Sequence, residues 1–229
     1  MQTPTVVLAS GQMVPALGFG TFQLRDEACR TAVAAAIEIG YRHIDTAVAY
    51  KNHAEVGAGI RDSGIGRNDL WVTTKIPKDS QAPEEIIKTA ERSLSELGLE
   101  SVDLMLSHWP TRAVPFAESF AAYAELVDRG LAGSVGISNY NAQIMKEVAG
   151  LSRVPIVTNQ VEFHPLLFQK ELKDACDELG VVVTAYSPLA RGKVPSDERL
   201  TRIARKYGST PGAVSLRWMM DKNIVVVPK

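Results

Sequence analysis

Gly40-Tyr41-Arg42-His43-Ile44-Asp45-Thr46-Ala47-Val48-Ala49-Tyr50-Lys51-Asn52, running on to Glu55-Val56-Gly57, is the stretch that decides the fold. A helical pattern ends at Gly40, a short strand occupies His43 to Thr46, and a polar loop follows before small and apolar residues open a helix at Ala54. Asp45 closes the strand and Tyr50 stands five residues later in the loop. A carboxylate at a strand's C-terminal end and a phenol in the next loop sit where a parallel barrel keeps its chemistry.

Outward from this stretch, strand and helix alternate. Before it, Val6-Val7-Leu8 turns at Ser10-Gly11 and returns through Met13-Val14-Pro15, a small hairpin that leads into a strand at Leu17 to Thr21. A helix over Cys29 to Ile39 then enters the quoted stretch. After it, strands are expected at Leu70 to Ile76, Ser101 to His108, Ser134 to Ser138, Ile156 to Val161, Val181 to Tyr186 and Ile224 to Val227. The helices between them include one opened by Pro83-Glu84-Glu85, with proline in the first turn and acids at the positive end. Another, capped by Asn141, runs to Ala149. Counting the segment at Leu17, eight strands separated by helices give a parallel sheet with helical crossovers. Runs such as Val181-Val182-Val183 and Val225-Val226-Val227 are apolar on both faces, as doubly covered strands are. The fold class is therefore α/β, a (β/α)8 TIM barrel with an N-terminal β-hairpin, in competition with a doubly wound open sheet.

The chain has 229 residues, 45% hydrophobic and 22% charged, enough apolar material for one barrel core. A net charge of -1 offers no basic field for nucleic acid and no single-sign surface for a membrane. Cys29 and Cys176 lie far apart without CxxC spacing, which reads as two buried thiols in a reducing compartment. No signal peptide and no membrane-length apolar run is visible. A soluble cytoplasmic protein is expected.

In the barrel reading, the polar residues that end the strands are Asp45, Lys75, His108, Ser138-Asn139, Gln160 with Glu162, and Tyr186-Ser187. Strand parity places His108 on the face of Leu104 and Leu106, pointing into the barrel. Asp45, Lys75, Tyr50 and His108 form a coherent acid machine. A free phenol has a pKa of about 10. An ammonium at ~4 Å favours its phenolate by up to ~4 kcal/mol at an effective dielectric of about 20, so Lys75 is expected to draw the Tyr50 pKa down. Asp45 would hold Lys75 charged, and His108 would orient a substrate carbonyl. His43, one layer deeper on the strand of Asp45, reads as a hydrogen-bonded core residue. His53 and His164 lack a second ligand at metal spacing, so no metal site is expected. Gly18-Phe19-Gly20 has neither the third glycine nor the following helix of a dinucleotide fingerprint, and no nucleophile elbow or phosphate loop occurs.

These residues together resemble the aldo-keto reductases, over nearly the whole chain. The quoted stretch carries the most specific likeness. Trp71-Val72-Thr73-Thr74-Lys75, Ser107-His108-Trp109-Pro110, Gly136-Ile137-Ser138-Asn139-Tyr140, Asn159-Gln160-Val161-Glu162 and Ala185-Tyr186-Ser187-Pro188-Leu189 follow in the family's order. The short loop from Thr111 to Pro115 is similar to that of the bacterial 2,5-diketo-D-gluconate reductase branch, and a short lid suits small polar carbonyls.

The resemblance implies reduction of aldehydes or ketones with NADPH by a monomer. It makes Tyr50 the general acid, with Asp45, Lys75 and His108 as partners. Ser138, Asn139 and Gln160 would bond the nicotinamide amide and Tyr186 would stack on the ring. Gly20, Thr21, Phe22, Asp45, Ser187, Leu189 and Lys229 would complete the cofactor contacts, and Phe22 and Trp109, with Tyr50 and His108, would face the substrate.

Two positions depart from the family pattern: His53 stands in place of the usual glutamate, and Gly133 where a basic residue often precedes the fifth strand. A larger departure is that Val227-Pro228-Lys229 begins the family's third motif and the sequence stops there. Leaving out a closing helix would expose ~500 Å² of apolar surface, or ~12 kcal/mol, against a usual stability of about 5–15 kcal/mol. The expectation is one barrel domain over 1–229 without its C-terminal closing segment, part of a longer protein, and an intact mass above 24.9 kDa would bear this out. The residues that would choose between NADPH and NADH lie past Lys229. Two alternatives remain on the same fold: a non-catalytic nicotinamide-cofactor sensor, which would not need Tyr50, and a sugar isomerase, which would need clustered metal ligands.

Overall fold

The computed structural model describes residues 4–229. The hairpin forms as β1 (Thr5–Val7) against β2 (Met13–Pro15), antiparallel, with Val6 opposite Val14. Eight parallel strands then follow in sequence order: β3 (Phe19–Gly20), β4 (His43–Asp45), β5 (Trp71–Ile76), β6 (Val102–Ser107), β7 (Ala132–Ser138), β8 (Ile156–Glu162), β9 (Val182–Tyr186) and β10 (Val225–Val226). Backbone bonds join the two ends of this sheet. Val226 N donates to Ala16 O at 2.8 Å, Gly18 N to Val226 O at 2.8 Å, and Gly20 N to Pro228 O at 2.7 Å. That closure rules out the open sheet. It also explains Gly20, where a Cβ would stand 2.9 Å from Val227 O.

The helices between the strands are α1 (Asp26–Glu38), α2 (His53–Asp62), α3 (Pro83–Leu97), α4 (Phe116–Asp128), α5 (Ala142–Leu151), α6 (Lys170–Glu178), α7 (Glu198–Lys206) and α8 (Pro211–Met220). In α1, Cys29, Val33, Ala36 and Ile37 are buried, one face at helical spacing. This helix begins three residues before the expected Cys29, because Asp26 and Glu27 extend its first turn at the positive end of the dipole. Pro83 opens α3 as expected and Gly98 ends it with φ 67°, a left-handed C-cap that glycine adopts without strain. Gly57 lets α2 touch the end of α3: a Cβ there would lie 2.1 Å from Leu97 O.

Strand parity sorts the core into two layers. Val72, Met105 and Ile137 face outward into the main cluster beneath the helices. Trp71, Leu104, Leu106, Val182 and Val225 face inward, and Val6, Leu8, Val14 and Ala16 of the hairpin segment pack against them. The hairpin thus plugs the N-terminal end of the barrel. His43 is part of this interior as expected, buried with Nε2 3.1 Å from Thr73 Oγ1 and Nδ1 3.3 Å from Pro15 O.

Candidate active site

At the opposite end, where the strands finish, the interior turns polar. Asp45 is the last residue of β4 and Lys75 lies near the end of β5; both point inward and are buried, at 2% and 0% exposure. Lys75 Nζ donates to Asp45 Oδ1 at 2.6 Å, to Thr46 O at 2.9 Å and to Tyr50 Oη at 3.4 Å. The other Asp45 oxygen accepts from Gln160 Nε2 at 2.7 Å. The buried ion pair is therefore fully hydrogen-bonded, the condition under which burying charge is tolerated. Burial alone would depress the Lys75 pKa, but Asp45 and Tyr50 outweigh it and hold it above the ordinary lysine value. Lys75 is a fixed cation.

Tyr50 is carried on a single 3₁₀ turn, Val48–Tyr50, and packs edge-on against His108 with ring centres 5.9 Å apart. The Phe22 ring also packs against Tyr50, with ring centres 5.1 Å apart. Burial pushes the Tyr50 phenol above its usual pKa; Lys75 pulls it back without prevailing. This reverses the expected direction. A phenolate here would lose its water, and Asp45 opposes it as well. The site holds a neutral phenol beside a cation that would stabilise its anion. His108 is driven down to about 4, by burial first and by Lys75 second, so it is a neutral imidazole at pH 7.

The amide-bearing residues gather on the β7–β9 side. Ser138 Oγ donates to Gln160 O at 2.8 Å, and Asn139 Nδ2 donates to His108 O at 3.0 Å and Ser138 Oγ at 3.1 Å. Tyr186 Oη donates to Asn139 Oδ1 at 2.9 Å. Asn139 and Ser187 both take left-handed backbone conformations, with φ of 65° and 49°, just where β7 and β9 end. Such conformations in non-glycine residues gather at functional sites. Trp109 and Phe22 are the two most exposed aromatic rings of the group. From Trp109, Asn139 and Tyr186 a cavity of about 740 Å³ extends over the starts of α5 and α6, past Glu162, Phe168 and Gln169.

Asp45, Tyr50, Lys75, His108, Ser138, Asn139, Gln160 and Tyr186 are thus brought together at one rim. Gly20 and Thr21 adjoin it through Thr21, whose N and Oγ1 each donate to Asp45 O at 3.0 Å. Ser187 and Leu189 follow β9, and Lys229 lies next to Pro228 of the β3 closure. Three participants escaped the sequence reading. The Thr46 carbonyl holds Lys75, Asn52 ties its own loop to the loop of Thr21 and Leu24, and the Arg25 guanidinium donates to Tyr50 O. Thr46 acts through its main-chain carbonyl, which leaves no residue-type signal. His53 is the first residue of α2 rather than a loop residue, and bridges Glu96 Oε2 at 3.1 Å and Thr74 Oγ1 at 2.9 Å.

Residues 16–229 match the model of the Aldo/keto reductase family. The glyoxal reductase of Bacillus subtilis (strain 168) is 38% identical over 226 residues, covering 98% of this chain and 82% of that protein. A solved structure described as a 2,5-diketo-D-gluconic acid reductase B superposes with a TM-score of 0.94 at 41% identity, covering 99% of this chain and 82% of the other. A Bombyx mori aldo-keto reductase solved in complex with NADP gives a TM-score of 0.93 at 33% identity, over 100% of this chain and 84% of that one.

Proposed function

We propose that this chain, which belongs to the Aldo/keto reductase family and is therefore an oxidoreductase, reduces small polar aldehydes and ketones to alcohols with NADPH, using Tyr50 as general acid. The observation that carries the reading is the fully buried Lys75 ammonium, 2.6 Å from Asp45 and 3.4 Å from the Tyr50 hydroxyl, with His108 against the same ring. Glyoxal reductase among the relatives, and a diketo-sugar-acid reductase among the similar structures, support short dicarbonyls and diketo-sugar acids as the first substrates to try. No helix among the described residues is long and apolar enough to cross a membrane, and we take the working form to be a cytoplasmic monomer.

The residues suit a nicotinamide cofactor. Gln160 spends its amide nitrogen on Asp45, which leaves Oε1 as an acceptor for a carboxamide. Ser138 and Asn139 set a hydroxyl and an amide beside it, and Tyr186 offers a half-buried ring. Gly20, Thr21, Phe22, Ser187, Leu189 and Lys229, at or just past the ends of β3, β9 and β10, would complete the grip. Bound there, NADPH would supply the hydride.

The chain's own part is to place the carbonyl and finish the proton transfer. Tyr50 and His108 would both hydrogen-bond the carbonyl oxygen, with Trp109 and Phe22 walling the approach. As charge grows on that oxygen, the Tyr50 hydroxyl gives up its proton. The phenolate left behind faces Lys75, which Asp45 keeps charged. A positioned acid of this kind contributes typically ~10²–10⁴-fold.

The test is the loss of NADPH absorbance with glyoxal, methylglyoxal, keto-sugars and diketo-sugar acids, run for wild type and Tyr50→Phe. Tyr50→Phe should lose ~10²–10⁴-fold in kcat with its melting temperature little changed. Undiminished turnover in that variant would remove Tyr50 from the role. No turnover of any carbonyl by the wild type, with NADPH still bound, would favour a cofactor sensor.

A further inference from the structure

Tyr50 does not hang from a free loop. The segment from Thr46 to Asn52 leaves β4, makes the 3₁₀ turn that carries Tyr50, and reverses at Lys51 in a left-handed conformation with φ 53°. Its two ends are stapled together: Thr46 Oγ1 donates to Asn52 Oδ1 at 2.9 Å. Asn52 is 1% exposed, and its amide nitrogen donates to Thr21 O at 3.0 Å and Leu24 O at 3.2 Å. Both of those partners are carbonyls that can only accept, so the amide has one orientation open to it.

The residues Asn52 reaches are those from which the ion pair is suspended. Thr46 offers its carbonyl to Lys75 Nζ, and Thr21 donates twice to the Asp45 carbonyl. Leu24 belongs to the loop of Phe22, whose ring packs on Tyr50. One buried side chain therefore ties together the segment bearing the acid, the main chain beneath its cation and the loop against its ring. A carboxylate here would have no proton for the two carbonyls, and a serine or alanine could not span all three partners.

We propose that Asn52, closed on Thr46, is the positioning residue that sets the Tyr50 hydroxyl over Lys75. Asn52 touches no reacting atom; it acts by fixing the turn that carries one. The proposal rests on Tyr50 being the general acid, and the experiment separates the two. Displacing a reacting group by about an ångström costs on the order of 10²-fold in rate. Thr46→Val removes the staple while keeping the shape of the side chain. It should lower kcat ~10- to 100-fold, with the KM for the carbonyl and the affinity for NADPH held near wild type. Thr46→Ser, which keeps the hydroxyl, should restore kcat. Because Lys75 draws the phenol's ionisation downward, a loosened turn should also move the basic limb of the kcat–pH profile to higher pH. Asn52→Ala should show the same kcat loss, its fold checked by circular dichroism.

The deciding arm places Thr46→Val in the Tyr50→Phe background. There the staple has no acid left to position, so the second change should add little further loss. Full additivity, or a Thr46→Val enzyme with wild-type kcat and an unshifted basic limb, would overturn the inference while leaving Tyr50 as the acid. A fully active Tyr50→Phe would instead overturn the proposed function on which it stands.

Discussion

The two ends of the barrel interior are built on opposite terms. At the N-terminal end, inward-facing Trp71, Leu104 and Val182 meet Val6, Leu8 and Val14 of the hairpin segment in a dry apolar plug. At the C-terminal end β4, β5 and β8 present Asp45, Lys75 and Gln160, buried and held by hydrogen bonds. The non-glycine residues Gln23, Lys51, Asn139 and Ser187 all take positive φ in the loops around that end. One end gains stability from area removed from water. The other holds charges and unfavourable backbone conformations that only the surrounding structure can sustain.

The largest test of this contrast lies at the polar end. Lys75→Met leaves the Asp45 carboxylate buried with Gln160 as its remaining side-chain partner. Breaking a buried pair from one side costs roughly 3–5 kcal/mol, which urea denaturation would register along with loss of turnover. Replacing Asp45 by Leu in the same chain should return most of the stability and none of the activity. If stability did not return, the polar end would be contributing to the fold more than its charges require. The matching test at the other end is Leu8→Ala, which opens a cavity in the plug. It should cost roughly 2–5 kcal/mol and leave the kcat of the folded enzyme unchanged.

Acidification tests the buried histidines without mutation. Burial lowers the pKa of His43, His53 and His108, the last to about 4. Between the unfolded value near 6.5 and those lower native values, the unfolded chain binds protons that the native protein refuses. Stability therefore falls as pH drops below about 6.5. His108 alone should account for ~2 kcal/mol of loss between pH 7 and pH 5. His108→Gln should flatten that part of the urea-midpoint profile, whereas Leu8→Ala should shift the whole profile downward without changing its slope.

The sequence carried the contrast unevenly. Asp45, Lys75 and His108 were legible because period-two parity and the ends of apolar runs place them on one face at one rim. The likeness of the Gly40 to Gly57 stretch then added the proposal that Tyr50 is the acid. The contact of Gln160 with Asp45 was not legible, since 115 positions separate them and only closure of the ring brings them together. Ring closure is itself made by the main chain of Ala16, Gly18 and Gly20 with Val226 and Pro228, atoms common to every residue type. The start of α1 was misplaced because Arg25, at its N-cap, makes no side-chain cap. The direction of the Tyr50 shift was misjudged for a different reason. Charge proximity can be argued from strand order, but the extent of burial that outweighs it is a property of the packed loops around Phe22 and His108.

The smallest expected effect tests whether the rim is purely functional. Asn141 begins α5 directly beyond Asn139 and Tyr140, and its Oδ1 accepts from Ile144 N at 2.9 Å, the N-cap the sequence implied. Asn141→Ala deletes that bond and should cost about 1 kcal/mol of stability. Asn141 bonds to none of Asp45, Lys75, Tyr50 or His108, so the kcat for carbonyl reduction should stay within about twofold of wild type, an allowance well under the tenfold that ~1.4 kcal/mol represents. A tenfold fall in kcat at that modest stability cost would mean that α5's first turn helps hold Asn139, and through it the His108 carbonyl, in place. Stability and chemistry would then be coupled at the C-terminal rim, and the division of labour between the two ends would hold only for the apolar plug.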